Sequence, residues 1–287
     1  MAEQQIGVVG AGTMGQAIAQ TALAAGFPVT LYDVADGALE QARQRTEAGL
    51  QRLIDKEKLP ADTLPGALER MNTTTDLGAL AQVQGTIIEA APESLSLKTE
   101  LFTELSAKAP RETILASNTS SISLTRLAGA VHEGADRVVG LHFFNPVPIM
   151  KLVEIIRAEQ TADTTVERVD ALARTLGKTP VAIGDTPGFA VNRLLVPMIN
   201  EAIFLYQEGG ASREDIDTAM KLGAGHPMGP LTLADTIGLD VCLSIMEVLH
   251  EGFGDSKYRP CPLLRRMVDA GYLGRKSGRG FYTYDAA

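Results

Sequence analysis

Short apolar runs alternate with longer stretches of helical period through the first two thirds of the chain. Residues 6–9 read as a buried strand, followed at once by the glycine-rich segment 10–15. Residues 16–25 then read as a helix stopped by Gly26, and residues 29–32 as a second strand ending at Asp33. A long polar helix is expected over 38–58, closed by Leu59 and Pro60, and Pro65 and Gly66 mark a turn. Residues 72–74 suggest a short strand. Residues 85–89, rich in β-branched side chains, form a clearer one, and a helix from about 95 to 107 follows. Further strands are expected at 113–116, 138–142, 152–156 and 181–183, with a helix near 164–176. Ser121 is a good N-cap for a short helix after the strand at 113–116.

The pattern changes at residues 184–188. Beyond them, residues 189–207, 213–222, roughly 231–249 and 261–270 all read as helices. The fold expected is α/β: a Rossmann-type, doubly wound, mainly parallel sheet over residues 1–185, then a smaller all-helical C-terminal domain over 186–287. The first helix of that second domain is apolar on many sides. This points to a homodimer interface, or else to a helix buried within its own domain.

Strand, glycine turn, helix, strand and acid in that order are the dinucleotide fingerprint in its required context. Gly10 allows the tight turn, Gly12 leaves room for a pyrophosphate, and Gly15 lets the helix pack close to the strand. The helix N-terminus offers N–H groups and partial positive charge to phosphates. Asp33, 18 residues past Gly15, can accept from both ribose hydroxyls. A 2′-phosphate would meet its charge, and no Arg stands at Val34 or Ala35, so NAD is favoured over NADP. In an open parallel sheet ligands bind outside the carboxyl ends of the strands. Asp33, Glu89, Ser117 and His142 all fall at or near such ends.

The net charge of -9 and pI near 5.0 argue against a nucleic-acid or anionic-membrane partner. Any polyanionic substrate must then be met by a local basic cluster. Cys242 and Cys261 could form one disulfide, though a reduced cytoplasmic protein is the plainer reading, and they match no metal spacing. The fingerprint begins near residue 10, so no targeting peptide is expected, and no apolar run reaches the ~18 residues of a membrane span. Oxidation of an alcohol at a nicotinamide site needs a base, and histidine suits. Of His132, His142, His226 and His250, the one at a strand end beside aromatics is His142. A core histidine bonded to a carbonyl is the competing reading.

Four segments taken together resemble the L-3-hydroxyacyl-CoA dehydrogenases. They are 117–121 (SNTSS), 140–146 (GLHFFNP), 152–154 (LVE) and 187–193 (PGFAVNR), and the likeness extends through the tail at 271–282. The similarity is greatest to the single-function bacterial 3-hydroxybutyryl-CoA dehydrogenases and covers essentially the whole chain. It implies that His142 is the general base for the 3-hydroxyl proton and that Glu154 orients it. Ser121 and Asn192 would hydrogen-bond the reacting oxygen or thioester end, and Asn145 would touch substrate. Asn192 and His142 belong to different expected domains, so a cleft closed by domain motion is implied, with Gly184 and Gly188 as hinge candidates. The cofactor set implied is Gly10, Gly12, Thr13, Met14, Gly15 and Asp33, with Glu93, Lys98 and Asn118. Arg52 and Lys56, four apart on one helix face, would meet the CoA phosphates.

The reaction expected is therefore NAD-dependent oxidation of (S)-3-hydroxyacyl-CoA, first of all 3-hydroxybutyryl-CoA, and its reverse. No metal is called for. A dicarboxylic thioester such as 3-hydroxyadipyl-CoA, a gulonate-type sugar acid, or a non-catalytic NAD-binding role are the alternatives.

Overall fold

A computed structural model describes residues 4–284. It divides into two compact units, one ending at Thr186 and the other beginning at Pro187.

The first unit is a sheet of eight strands with helices between them. In chain order these are β1 (Gln5–Val9), α1 (Thr13–Ala24), β2 (Val29–Tyr32), α2 (Asp36–Asp55), α3 (Thr63–Glu69), β3 (Met71–Thr74), α4 (Leu77–Ala81) and β4 (Gly85–Glu89). Then come α5 (Leu95–Lys108), β5 (Ile114–Ser117), α6 (Leu124–Gly129), β6 (Val138–Phe143), β7 (Leu152–Arg157), α7 (Asp163–Thr175) and β8 (Thr179–Gly184). The strand order is β3-β2-β1-β4-β5-β6-β7-β8. Every neighbouring pair is parallel except β6 with β7, which run antiparallel. The eight-residue connection from Phe144 to Lys151 is long enough for a reversal but too short for a parallel crossover.

β1, β4, β5 and β6 are central and almost wholly buried, which is why they read as continuous apolar runs rather than alternating ones. Ile6, Val8, Ile18, Leu31, Ile88 and Leu141 belong to one core cluster that joins sheet and helices. Removing a large side chain from such a core costs roughly 2–5 kcal/mol.

Several local expectations are corrected. The turn expected at Pro65 and Gly66 lies inside α3, where Pro65 occupies the first turn and costs no hydrogen bond. α2 begins two residues earlier than expected and ends at Asp55, so Lys56 is its C-cap. Ser121 caps no helix. The short helix after β5 is α6, and its cap is Ser123, whose side chain accepts from the Arg126 amide. Asp185 completes that end of the helix by accepting from Ser123 Oγ at 2.7 Å and from the amides of Leu124 and Thr125.

The second unit is helical: α8 (Val191–Gln207), α9 (Arg213–Gly223), α10 (Pro230–Ile237), α11 (Leu239–Phe253) and α12 (Pro262–Asp269). The single helix expected over 231–249 is two, because Gly238 sits at φ +106°, a conformation that interrupts a helix. α8 packs against α10, α11 and α12, burying Val196, Ile199 and Ile203 within its own unit. Its apolar character is therefore largely explained without a partner, although Leu194 remains 75% exposed. Asp217 and Asp235 are buried and serve as anchors. Asp217 accepts from the amides of Leu231 and Thr232, and Asp235 accepts from the amides of Phe281 and Tyr282. The second of these ties down the C-terminal segment whose motif stood out in the sequence. Cys242 and Cys261 are both buried and unbridged.

Among the described residues no helix is long and apolar enough to cross a membrane, and no group of three or more His, Cys, Asp or Glu side chains could hold a metal ion.

Candidate active site

The glycine segment turns sharply between β1 and α1. Gly10 has φ +98°, and a Cβ there would approach the Ala90 carbonyl to 2.7 Å. A Cβ on Gly15 would stand 1.8 Å from the Gly10 carbonyl oxygen, so the helix can lie this close to the turn only with glycine. Gly12 differs, because a Cβ there would meet nothing within 4 Å. Internal packing does not require that glycine, and the space beside it is open to a ligand. Gly12 is also the N-cap of α1, with no side-chain capping bond and no acid in the first turn. The N–H groups of that turn are thus left for an anion.

A cavity of about 560 Å³ opens against this turn, lined by Gly10, Gly12, Met14, Asp33, Ala91 and Pro92 among others. Asp33 is fixed at its rim: Oδ2 accepts the Ala11 amide at 2.8 Å and Oδ1 the Ala35 amide at 3.1 Å. Each oxygen keeps a second lone pair for a ribose hydroxyl.

On the other side of β4 and β5, His142 and Glu154 meet. They are direct partners in the β6–β7 register, with Nδ1 to Oε2 at 2.8 Å, and both are buried. The Phe144 ring lies 4.5 Å from the imidazole, centre to centre. Asn118 ties this strand to the next by accepting the Phe143 amide at 2.9 Å.

Between the two lies a charged cluster. Lys98 is 1% exposed and pairs with Glu89 at 2.5 Å and with Glu93 at 3.4 Å. Glu93 Oε1 accepts from the hydroxyls of Thr119 and Ser121 and from the amides of Ser120 and Ser121. Burial works against the Glu93 charge, but Lys98 and the bonds from Thr119, Ser121 and Ser120 outweigh it, and its carboxyl titrates below the ordinary range.

Residues 5–186 match the family model described as "3-hydroxyacyl-CoA dehydrogenase, NAD binding domain", and residues 188–284 match "3-hydroxyacyl-CoA dehydrogenase, C-terminal domain". The chain belongs to the 3-hydroxyacyl-CoA dehydrogenase family. It is 54% identical over 282 residues to the probable 3-hydroxybutyryl-CoA dehydrogenase of Bacillus subtilis (strain 168), covering 98% of each chain. It is 44% identical to the mitochondrial hydroxyacyl-coenzyme A dehydrogenase of Homo sapiens, covering 98% of this chain and 91% of that one. Among solved structures it superposes with a TM-score of 0.95 on (S)-3-hydroxybutyryl-CoA dehydrogenase PaaH1 from Ralstonia eutropha. That protein is 49% identical, and the match covers 99% of this chain and all of the other.

The family is one with an NAD-binding domain, and the residues lining the cavity at β1 are chemically suited to that cofactor. The uncapped first turn of α1 and the open space at Gly12 suit the pyrophosphate, and the doubly held Asp33 suits a ribose diol. Thr13 and Met14 line the same cavity.

Ser121 bonds Glu93, and Asn145 is exposed in the turn after β6. Asn192 is in the first turn of α8, in the second unit. Arg52 and Lys56 are both exposed at the end of α2, with Arg52 Nε donating to its own helix at Ala48, and among the described residues neither enters an ion pair. Lys98 is buried against Glu89 and, like Gly15, Glu93 and Asn118, is not among the residues lining the cavity. Glu89 and Ser117 were legible only as strand ends, because no local signal marks Lys98, nine residues further on, as the partner of Glu89, or Ser117, 28 residues further on, as a second donor to it.

Proposed function

We propose that this dehydrogenase interconverts (S)-3-hydroxybutyryl-CoA and acetoacetyl-CoA with NAD as its redox partner. The observation that carries the reading is the buried His142–Glu154 pair, held at 2.8 Å in the same unit as the NAD cavity. The names borne by the Bacillus and Ralstonia relatives support the four-carbon thioester.

His142 acts as the general base. Its Nδ1–H donates to the Glu154 carboxylate, so in the neutral ring Nε2 carries the lone pair that takes the 3-hydroxyl proton. The imidazolium so formed sits against the Glu154 charge, which offsets the cost of charging a buried ring. Bound NAD supplies the hydride acceptor. In the reducing direction the imidazolium returns the proton to the 3-oxo oxygen. Ser121, Asn192 and Asn145 are assigned to hydrogen bonds with the substrate, and Glu93 and Asn118 to the cofactor side. Arg52 and Lys56 are assigned to the CoA phosphates. Their exposure and the absence of an acidic partner for either among the described residues support this, and the chain's overall negative charge makes such a local cluster necessary. The proposal includes a cytoplasmic homodimer, for which the outward-facing Leu194 on α8 is the supporting feature.

NADH oxidation with acetoacetyl-CoA, beside free acetoacetate and NADPH, tests the reading. Turnover is expected only with the thioester and NADH. Equal rates with free acetoacetate would remove CoA from the substrate, and sedimentation at a monomer's mass would remove the dimer.

A further inference from the structure

We infer that Glu89 is a positioning residue for the NAD site, holding the cavity wall and the Ser121 loop in register through Lys98 and Ser117. The inference rests on reading the cavity beside Gly12 as the NAD site.

Glu89 ends β4, its side chain is fully buried, and it touches no solvent from which a ligand could reach it. Each of its carboxylate oxygens holds one of the two loops that follow the central strands. Oε1 accepts the Ala91 amide at 2.6 Å and the Lys98 ammonium at 2.5 Å. Lys98 in turn donates to the Ala91 carbonyl at 3.2 Å. Both backbone groups of Ala91, a residue of the cavity wall, therefore end on this one ion pair. Oε2 accepts the Ser117 hydroxyl at 2.6 Å, and Ser117 Oγ accepts the Thr119 amide at 3.2 Å. The Glu89 backbone carbonyl accepts the Asn118 amide at 2.7 Å. Thr119 Oγ1 then accepts the amides of Ser121 and Ile122.

The two loops meet again at Glu93, which takes Lys98 on one oxygen and Thr119, Ser120 and Ser121 on the other. The loop after β4 and the loop after β5 are thus joined twice, once at Glu89 and once at Glu93, with Lys98 between. Glu93 is partly exposed while Glu89 and Lys98 are not, so the outer acid is held from within. A charge-assisted bond in a buried site is directional and unscreened. Such a network transmits a displacement of one member to the rest.

Removing one member of a buried ion pair leaves the other uncompensated. The test therefore uses both single and paired neutral variants, with NADH affinity measured by calorimetric titration in the absence of any thioester. Glu89→Gln is expected to raise the NADH Kd at least tenfold in protein that remains folded. Ser117→Ala, a milder change that leaves the charges intact, is expected to raise it about threefold. Because Glu89 acts largely through Lys98, Glu89→Gln combined with Lys98→Met should bind NADH no more weakly than Lys98→Met alone. A purely structural role would lower Tm and leave the Kd of the folded fraction unchanged. Wild-type Kd in Ser117→Ala together with wild-type Kd in any folded Glu89→Gln, or additive losses in the paired variant, would overturn the inference. Should Glu89→Gln not fold, Ser117→Ala and the paired variant decide it alone. A wild-type protein that binds no NADH would overturn the cofactor reading as well, and is distinguished by that control.

Discussion

His142 and Glu154 are register partners on the one antiparallel strand pair among the described residues of the sheet, and the reversal of β7 is what brings the acid to the imidazole 2.8 Å away. Opposed residues in an antiparallel pair have side chains on the same face. The contact therefore follows from register, and a slip of one residue would turn Glu154 to the opposite face. On the mechanism proposed, His142→Ala should lower kcat about a thousandfold, within the range usual for loss of a general base. NADH binding by titration should stay within about twofold, since His142 is no part of the cavity lining. Near-wild-type turnover would assign the base elsewhere.

Asp33 is held by the amides of Ala11 and Ala35, so its carboxylate is fixed before any cofactor arrives. Asp33→Ala removes a charged acceptor worth roughly 1.5–3 kcal/mol per bond. The ratio of kcat/KM for NADH over NADPH should fall at least tenfold. An unchanged ratio would show that the carboxylate does not read the ribose.

Gly12 and Gly15 stand three residues apart and should fail in opposite ways. Gly15→Ala drives a methyl into the Gly10 carbonyl and is expected to lower stability by ~2 kcal/mol or more, seen as a drop of several degrees in Tm. Gly12→Ala meets open space, so its Tm should change little, yet its NADH Kd should rise at least tenfold. Equal thermal losses in both variants would mean that Gly12 serves packing alone.

Glu93 provides a pH signature. Its carboxyl lies below the ordinary 4.5 despite partial burial, because Lys98 and the bonds from Thr119, Ser121 and Ser120 favour the charged form. A depressed carboxyl contributes stability above its unfolded value and loses it as pH falls through the folded one. The Tm difference between wild type and Glu93→Gln should accordingly be open near neutrality and close as the pH drops below about 4.5. A difference that persists undiminished to lower pH would put the stabilisation in packing and not in charge.

What could be read from the chain followed the range of the forces involved. The glycine turn, the apolar strands and the helices between them were legible because each is fixed by neighbours in sequence: Gly10 by its own φ, and β4 by its β-branched run. The reversed β7 was compatible with a mainly parallel sheet but not marked in it. Ser121 was misread as a cap because two serines two residues apart suit the same helix start. The choice of Ser123 was made by Asp185, 62 residues away, while Glu93 claimed Ser121. The break at Gly238 was hidden in an otherwise unbroken helical period. His142 was visible as a strand-end histidine, whereas the burial of Lys98 was not, since a lysine early in a helix ordinarily faces solvent.

The register of the central strands has one more consequence. Val9, Glu89, Ser117 and Gly140 lie in a single row across β1, β4, β5 and β6. The glycine turn begins one residue past the first of them, and His142 stands two residues past the last. Neighbouring strands are spaced by ~4.8 Å, so the glycine turn and the imidazole are separated laterally by roughly 14 Å, three steps of the lattice. The hydrogen-bond spacing of the backbone thus works as a ruler. On the function proposed, it sets how far a ligand must reach from the glycine turn to His142, and substitutions on the surface leave that length unaltered.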